Sequence, residues 1–70
     1  MPIVIHLTIN GQAYTFEQPP TAARLLEQLG LSGRRVALER NGEILPRSLF
    51  EHTVLAPDDR LEIVVAVGGG

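Results

Sequence analysis

Two Asn-Gly dipeptides, at residues 10–11 and 41–42, constrain the fold more than any other feature of the sequence. Asparagine and glycine both tolerate the positive φ angles of a two-residue type I′ turn, so Asn-Gly between strand-like runs is a strong signal of a β-hairpin. The flanking runs are residues 3–9 and 12–17 around the first dipeptide and residues 36–40 and 43–45 around the second. The chain is therefore predicted to form two hairpins.

The apolar residues of the first hairpin support this turn. Residues 3–9 carry an apolar side chain at every second position. A two-residue turn pairs Leu7 with Tyr14 and Ile5 with Phe16, so the large apolar side chains share one face of the hairpin, and Val4 alone lies on the other. Because a slip of one residue would move the whole set to the opposite face, this agreement specifies the register.

A short amphipathic helix is predicted between the two hairpins. Residues 18–20, Gln-Pro-Pro, end the first hairpin, and Thr21 suits the N-cap position. Gly30 suits the left-handed position that follows the last helical turn. One stripe of this helix is apolar and is expected to cover the apolar face of the sheet. The stripe consists of Ala22, Leu25, Leu26 and Leu29.

The remaining segments complete a fold of the α+β class. A single helical turn is expected to bury Leu49 and Phe50, and the last strand is predicted over residues 60–67. The helix supplies the crossover that parallel pairing requires, so the first and last strands can lie side by side at the centre of the sheet. The predicted fold is a β-grasp, with a mixed sheet of about five strands on one helix in the order β-β-α-β-β-β. Residues 1–67 form a single domain, and residues 68–70 form a flexible glycine tail.

Composition excludes several classes of function. A chain of 70 residues has room for one core, and without cysteine it forms no disulfide and no thiolate metal site. His6 and His52 are too few and too distant in sequence to indicate a metal site. A net charge of −2 and three aromatic residues argue against binding of nucleic acid. No run is long enough to span a membrane and no signal peptide is evident, so a cytoplasmic location is expected.

The segment from Val36 to Arg47 resembles the central segment of the ThiS family, the bacterial sulfur carriers of thiamine thiazole synthesis. In that segment a strand is followed by Asn-Gly, an acidic residue, two apolar residues and Pro-Arg. Leu55, Asp59 and residues 60–64 resemble the family's leucine, its turn and its final strand. The chain also ends in the family's Gly-Gly. The similarity covers the whole chain, and the order of the motifs makes it specific.

Two positions depart from the family pattern. Asp58 stands where the family usually has a turn glycine, so this residue is expected to adopt a left-handed or strained backbone. Gly68 adds a third glycine to the usual pair and leaves the terminal diglycine intact.

The resemblance implies a function for the glycine tail. A ubiquitin-activating-like adenylating enzyme of the ThiF type would use ATP-Mg to activate the Gly70 carboxylate, and a persulfide donor would convert it to a thiocarboxylate. A thiazole synthase of the ThiG type would then take up the sulfur. In this reading Gly68, Gly69 and Gly70 enter the active site of a partner enzyme. The chain itself is a carrier and co-substrate, has no catalytic residues of its own and binds no cofactor stably.

Two alternatives remain open at this point. The same chemistry could supply sulfur for molybdopterin synthesis or for tRNA thiolation. The fold could also serve as a ubiquitin-like interaction or conjugation module in which the glycines are only a tail.

Strand parity predicts one further site, on the sheet face that points away from the helix. Small apolar side chains on that face are expected to cluster near the root of the tail and to form a docking patch for a partner. Arg47 is expected either to contact a partner or to anchor its own loop through a salt bridge. The predicted patch consists of Val4, His6, Ala37, Glu39, Val64 and Ala66.

Overall fold

Within residues 4–66, five strands form one mixed sheet against a single α-helix. In the computed structural model, which describes residues 4–66, the elements follow the predicted order β-β-α-β-β-β. They are β1 (Ile5–Ile9), β2 (Gln12–Phe16), α1 (Ala22–Gln28), β3 (Val36–Arg40), β4 (Glu43–Leu45) and β5 (Arg60–Val65). The order across the sheet is β2-β1-β5-β3-β4, in which only the β1–β5 pair is parallel. The β-grasp fold with the first and last strands adjacent at its centre is confirmed.

Both hairpins have the predicted turns and registers. All four residues of the two Asn-Gly turns have positive φ, as type I′ geometry requires. In the first hairpin Leu7 pairs with Tyr14 and Ile5 pairs with Phe16. Asp58 also adopts the left-handed conformation expected for it, with φ 67°. The last strand was predicted to reach residue 67, and it ends at Val65 within the described residues. Val67, the predicted domain boundary and the glycine tail lie outside the described range.

The start of α1 is held by the loop that precedes β5. Thr21 is the N-cap, and its hydroxyl accepts a hydrogen bond from the Arg24 N–H at 3.1 Å. The first two N–H groups of the helix donate to the carbonyls of Thr53 and Phe50, both at 3.0 Å. Helix termini leave such donors without intrahelical partners, so these contacts satisfy groups that would otherwise need water.

The end of α1 has the capping geometry predicted from Gly30. This glycine has φ 76°, and the Leu31 N–H donates to the Leu26 carbonyl at 2.8 Å, as in a Schellman motif. The apolar stripe of the helix is buried as predicted, with Leu29 partly exposed. Within residues 4–66, no helix is long and apolar enough to cross a membrane.

The expectation that Leu49 and Phe50 both enter the core is half wrong. A short 3₁₀ helix, Arg47–Leu49, precedes Phe50, whose side chain is buried beneath the start of α1. Leu49 is 45% exposed. A 3₁₀ helix has three residues per turn, so neighbouring side chains point in directions about 120° apart and only one of the two faces inward. The buried core consists of Ile5, Leu7, Ile9, Ala22, Leu25, Leu26, Leu38, Phe50, Leu55, Leu61 and Ile63.

Candidate functional site

The strand that leads to the glycine tail is the central strand of the sheet. Gly68, Gly69 and Gly70, the predicted tail, lie outside the described residues, so the structure shows the element that precedes them. β5 pairs with β1 on one side and with β3 on the other. Beyond the end of β5, the Ala66 N–H still donates to the Arg35 carbonyl at 2.9 Å. The described chain is therefore attached to the sheet up to its last residue.

The asparagines of the two turns also bind the backbone of β5, a role that the sequence did not reveal. The Asn10 side chain accepts a hydrogen bond from the Ile63 N–H at 2.7 Å and donates one to the Ile63 carbonyl at 3.1 Å. The side-chain amide of Asn10 thus bonds to β5 as the backbone of a further β1 residue would, although β1 itself has already entered its turn. The Asn41 side chain accepts from the Arg60 N–H at 2.9 Å. Both hairpin turns therefore hold the strand that leads to the tail.

Asp59 anchors the beginning of β5. It is the only buried polar or charged residue among residues 4–66, and its carboxylate accepts three hydrogen bonds. The donors are the Arg40 Nε at 2.8 Å, the Asn41 Nδ2 at 3.0 Å and the Ala56 N–H at 2.8 Å. Because these donors lie on β3, on the β3–β4 turn and in the loop before β5, one side chain joins three segments.

The environment of Asp59 makes its contribution to stability depend on pH. Burial alone would raise the pKa of this carboxyl group, but the hydrogen bonds from Ala56, Asn41 and Arg40 and the charge of Arg40 outweigh that effect. The pKa of Asp59 is therefore lowered from its ordinary value of 3.8. A group whose pKa is lower in the folded state stabilises the fold above its unfolded pKa and loses that contribution as the pH falls through the folded value.

Acid is accordingly expected to destabilise the protein partly through Asp59. Urea unfolding measured from pH 7 to pH 2 should show a fall in the free energy of unfolding that begins near pH 4. In the Asp59→Asn variant, which lacks this titration, the fall over the same range should be smaller. An equal fall in both proteins would show that Asp59 does not contribute to acid sensitivity.

The structure brings four of the six predicted patch residues together. All six are exposed, and Ala37 pairs directly with Val64 across β3 and β5. Glu39 lies two residues farther along β3, where it pairs with Glu62. Ala66 follows β5 on the same face. These residues lie at the end of the sheet from which the tail leaves.

Val4 and His6 do not join this cluster, and the prediction that they lie near the root of the tail is wrong. Thr8 on β1 is level with Arg60 on β5, and the two strands run parallel. At a rise of about 3.3 Å per residue, His6 lies roughly 20 Å from Val64 along the strand direction, and Val4 lies farther still. Alternation places a residue on a face of the sheet, whereas its position along the sheet depends on the pairing of distant strands.

Ile44 belongs to the cluster and was missed from sequence. It pairs with Glu39 on the neighbouring strand, and its side chain is 74% exposed. The sequence was sufficient to predict this position, because a two-residue turn at residues 41–42 places Ile44 opposite Glu39 and therefore on the same face. The outer-face patch thus consists of Ala37, Glu39, Ile44, Val64 and Ala66.

The other candidate residues show no organised site. Arg47 is exposed, and among residues 4–66 no carboxylate lies within ion-pairing distance of it, so the expected loop-anchoring salt bridge is not found there. His6 and His52 are both exposed. Within the same range no group of three or more His, Cys, Asp or Glu side chains is arranged to hold a metal ion.

Comparison with known proteins identifies the family. The family model described as the ThiS family matches residues 7–70. The crystal structure of the thiamine biosynthesis protein ThiS from Geobacter metallireducens superposes with a TM-score of 0.79 at 32% identity, and the match covers 94% of this chain and all of that one.

Among relatives, a thiazole synthase of Paramagnetospirillum magneticum is 44% identical over 64 residues, which are 91% of this chain and 20% of that protein. This chain thus spans a fifth of that relative. An uncharacterized protein ycf40 of Pyropia yezoensis is 39% identical over 66 residues, with 94% of this chain and 93% of that protein covered. The fold, the profile match and the full-length structural likeness agree, and the chain belongs to the ThiS family.

Proposed function

We propose that this chain carries sulfur for thiazole formation in thiamine biosynthesis, and that the sulfur is held as a thiocarboxylate at Gly70. The observation that carries the proposal is the match to the ThiS family, which runs through residue 70 and so includes the terminal glycines. The fold supports it, because the tail follows directly from the central strand, which hydrogen bonds hold on both sides.

The chemistry requires activation of the Gly70 carboxylate. A carboxylate is a poor acyl donor because its leaving group would be an oxide. An adenylating partner of the ThiF type transfers AMP from ATP-Mg to this carboxylate and releases pyrophosphate. The terminal sulfur of a persulfide then attacks the acyl carbon, and AMP leaves. A second thiol then attacks the donor's own sulfur in the resulting acyl disulfide, which breaks the S–S bond, forms a disulfide with the donor and leaves the thiocarboxylate on Gly70. The carrier contributes the Gly70 acyl group at the end of its tail, and the partner enzymes catalyse the steps.

The relatives support thiazole synthesis as the use of the sulfur. A segment similar to this chain forms a fifth of a protein named thiazole synthase in Paramagnetospirillum magneticum, and a second such protein occurs in Magnetococcus marinus. A carrier segment within a thiazole synthase polypeptide fits a carrier that delivers sulfur to an enzyme of the ThiG type. We therefore propose a thiazole synthase as the acceptor.

Mass spectrometry of the intact protein tests the proposal directly. The chain is incubated with ATP-Mg, an adenylating enzyme of the ThiF type and a persulfide donor. The expected result is a mass gain equal to the difference between sulfur and oxygen, located at Gly70 by fragmentation and dependent on ATP. A mass that stays unchanged in the complete mixture would reject the sulfur-carrier function.

The outer-face patch is proposed to dock the adenylating partner. Its apolar members Ile44 and Val64 are 74% and 64% exposed, and Val64 lies on β5, the strand that leads into the tail. Exposed aliphatic side chains grouped at one place often mark a protein interface. Glu39 and Glu62 border this group and are suited to pair with basic residues of a partner.

Substitution of Val64 by aspartate is expected to weaken this docking by about tenfold, equivalent to about 1.4 kcal/mol, because a charge would be buried against apolar partner surface. The fold should be unchanged, since Val64 is largely exposed. Titration calorimetry with the adenylating enzyme measures the affinity, and Val54→Asp, at an exposed valine outside the patch, is the matched control. Equal affinities of the two variants would exclude the patch as the docking surface.

A further inference from the structure

The last part of β5 extends beyond the strand beside it. β1 pairs with β5 at Thr8–Arg60 and Ile9–Leu61 and then enters its turn. The Asn10 side chain continues the hydrogen bonding for one more step, to Ile63. β3, on the other side, stays paired with β5 as far as Val65. At Val65, its last residue, β5 is therefore paired on one side only, with β3.

The backbone groups of Val65 point to the unpaired side. Within a strand, the N–H and C=O of one residue face the same side, and successive residues alternate. Ala66 donates to Arg35 on the β3 side, and Ile63 bonds to Asn10 on the β1 side, which places Val65 on the β1 side as well. No residue in the described part of the chain accepts from its N–H or donates to its carbonyl. One donor and one acceptor are thus presented at an open strand edge.

An apolar groove lies beside this edge. It has a volume of about 360 Å³ and lies on the helix side of the sheet, between the end of β5, the first hairpin and the residues after α1. Its apolar walls are half-buried or buried, and two polar side chains stand at its rim. The lining residues are Ile9, Asn10, Gln12, Tyr14, Leu29, Leu31, Ile63 and Val65.

The edge and the groove have complementary uses. A strand added beside β5 would bond to the Val65 N–H and C=O, and its side chains would alternate between the two faces of the sheet. The side chain on the helix side would then point towards the groove, which has room for a large aliphatic or aromatic group. Backbone bonding would supply affinity, and the groove would select the side chain.

We propose that an extended segment of the adenylating partner adds to β5 at Val65 and places one large apolar side chain in this groove. This inference rests on the proposed function, because an enzyme that receives Gly70 must approach along the segment that follows Ala66. The open edge lies directly at the start of that segment. The edge presents the backbone of a single residue, so it adds to contacts that the same partner makes at the groove and at the outer-face patch and does not form a stable interface by itself.

Hydrogen exchange of the Val65 amide tests the proposal on the unmodified protein. In the free chain this amide is expected to exchange fast, and in the complex with the adenylating enzyme it should be slowed by at least tenfold. Protection of Val65 in the carrier alone, rising with its concentration, would overturn the proposal in favour of self-association. A complex in which Val65 exchanges as fast as in the free chain would overturn it as well.

Two variants probe the edge and the groove separately. Val65→Pro removes the free N–H but not a bond to β3, and proline is tolerated at such an edge position. Thr15→Pro is its control, since the Thr15 N–H faces the outer edge of β2.

Gln12→Trp fills the groove from its rim, with Gln28→Trp on the exposed surface of α1 as its control. Each test variant should bind the enzyme at least tenfold more weakly than its control.

The outcomes separate this inference from the function on which it rests. If the wild-type chain is loaded with sulfur while both test variants bind like their controls, strand addition is rejected and the carrier function stands. If the wild-type chain forms no complex and gains no sulfur, both are rejected. If either proline variant fails to fold, the tryptophan pair and the exchange of the wild-type amide still decide.

Discussion

Deletion of Gly70 is expected to abolish thiocarboxylate formation while the domain stays folded. The deletion moves the terminal carboxylate back by the length of one residue, about 3.5 Å. A displacement of about 1 Å can cost roughly a hundredfold in rate when reacting atoms must be aligned, so this larger shift should leave no measurable loading. Intact mass after incubation with ATP-Mg, the adenylating enzyme and the persulfide donor gives the result.

Gly69→Val should have the same effect for a different reason. The chain keeps its length, but a β-branched side chain next to the reacting residue widens the tail and restricts its backbone torsions. Both variants should unfold at the wild-type urea concentration, and both should still bind the adenylating enzyme through the outer-face patch. Normal ATP-dependent loading of either variant would contradict the role assigned to the tail.

Replacement of Asp59 by asparagine is expected to give the largest loss of stability among the described polar residues, about 2–3 kcal/mol. The amide has one acceptor oxygen, whereas the carboxylate receives donors from Arg40, Asn41 and Ala56. The charge that offsets the partly buried Arg40 is also lost. For a domain of this size the melting temperature should fall by on the order of 10–20 °C.

Asp58→Asn is the matched control for this prediction. It makes the same chemical change at the adjacent position, where the side chain is exposed and φ is 67°. Asparagine tolerates that conformation, so the change should be within about 0.5 kcal/mol. Thermal unfolding of the two variants at pH 7 distinguishes the buried network from a general effect of removing a negative charge. Equal losses would contradict the anchoring role of Asp59.

The local parts of this fold can be predicted from sequence because each rests on neighbouring residues. An Asn-Gly turn of two residues determines which residues of the same hairpin face each other, as Leu7 and Tyr14 do. The Gly30 cap likewise depends on a single turn of helix. The family resemblance added the proposed function of the tail, since no side chain in the sequence points to sulfur transfer.

The parts that were missed depend on contacts between distant segments. Strand alternation placed Val4 and Val64 on the same face, but their separation follows from the pairing of Thr8 with Arg60, which no local pattern encodes. From sequence, Asn10 is predicted only as a turn residue, and its contact with β5 appears only when the position of that strand is known. Asp59 likewise resembles an ordinary turn aspartate, and its donors on β3 become visible only in the folded chain.

The central position of β5 has a consequence for how the protein is made. β5 joins the two hairpins and is the last of the strands described within residues 4–66, so a nascent chain that stops before residue 60 contains two hairpins with no shared neighbour. Such a product cannot close its sheet, and unfolded chains are removed by cellular proteases. Pairing between β1 and β5 also joins residues that are far apart in sequence, such as Thr8 and Arg60, which favours slow folding. Chains that stop before β5 are therefore expected to be degraded, and chains that contain β5 are expected to persist.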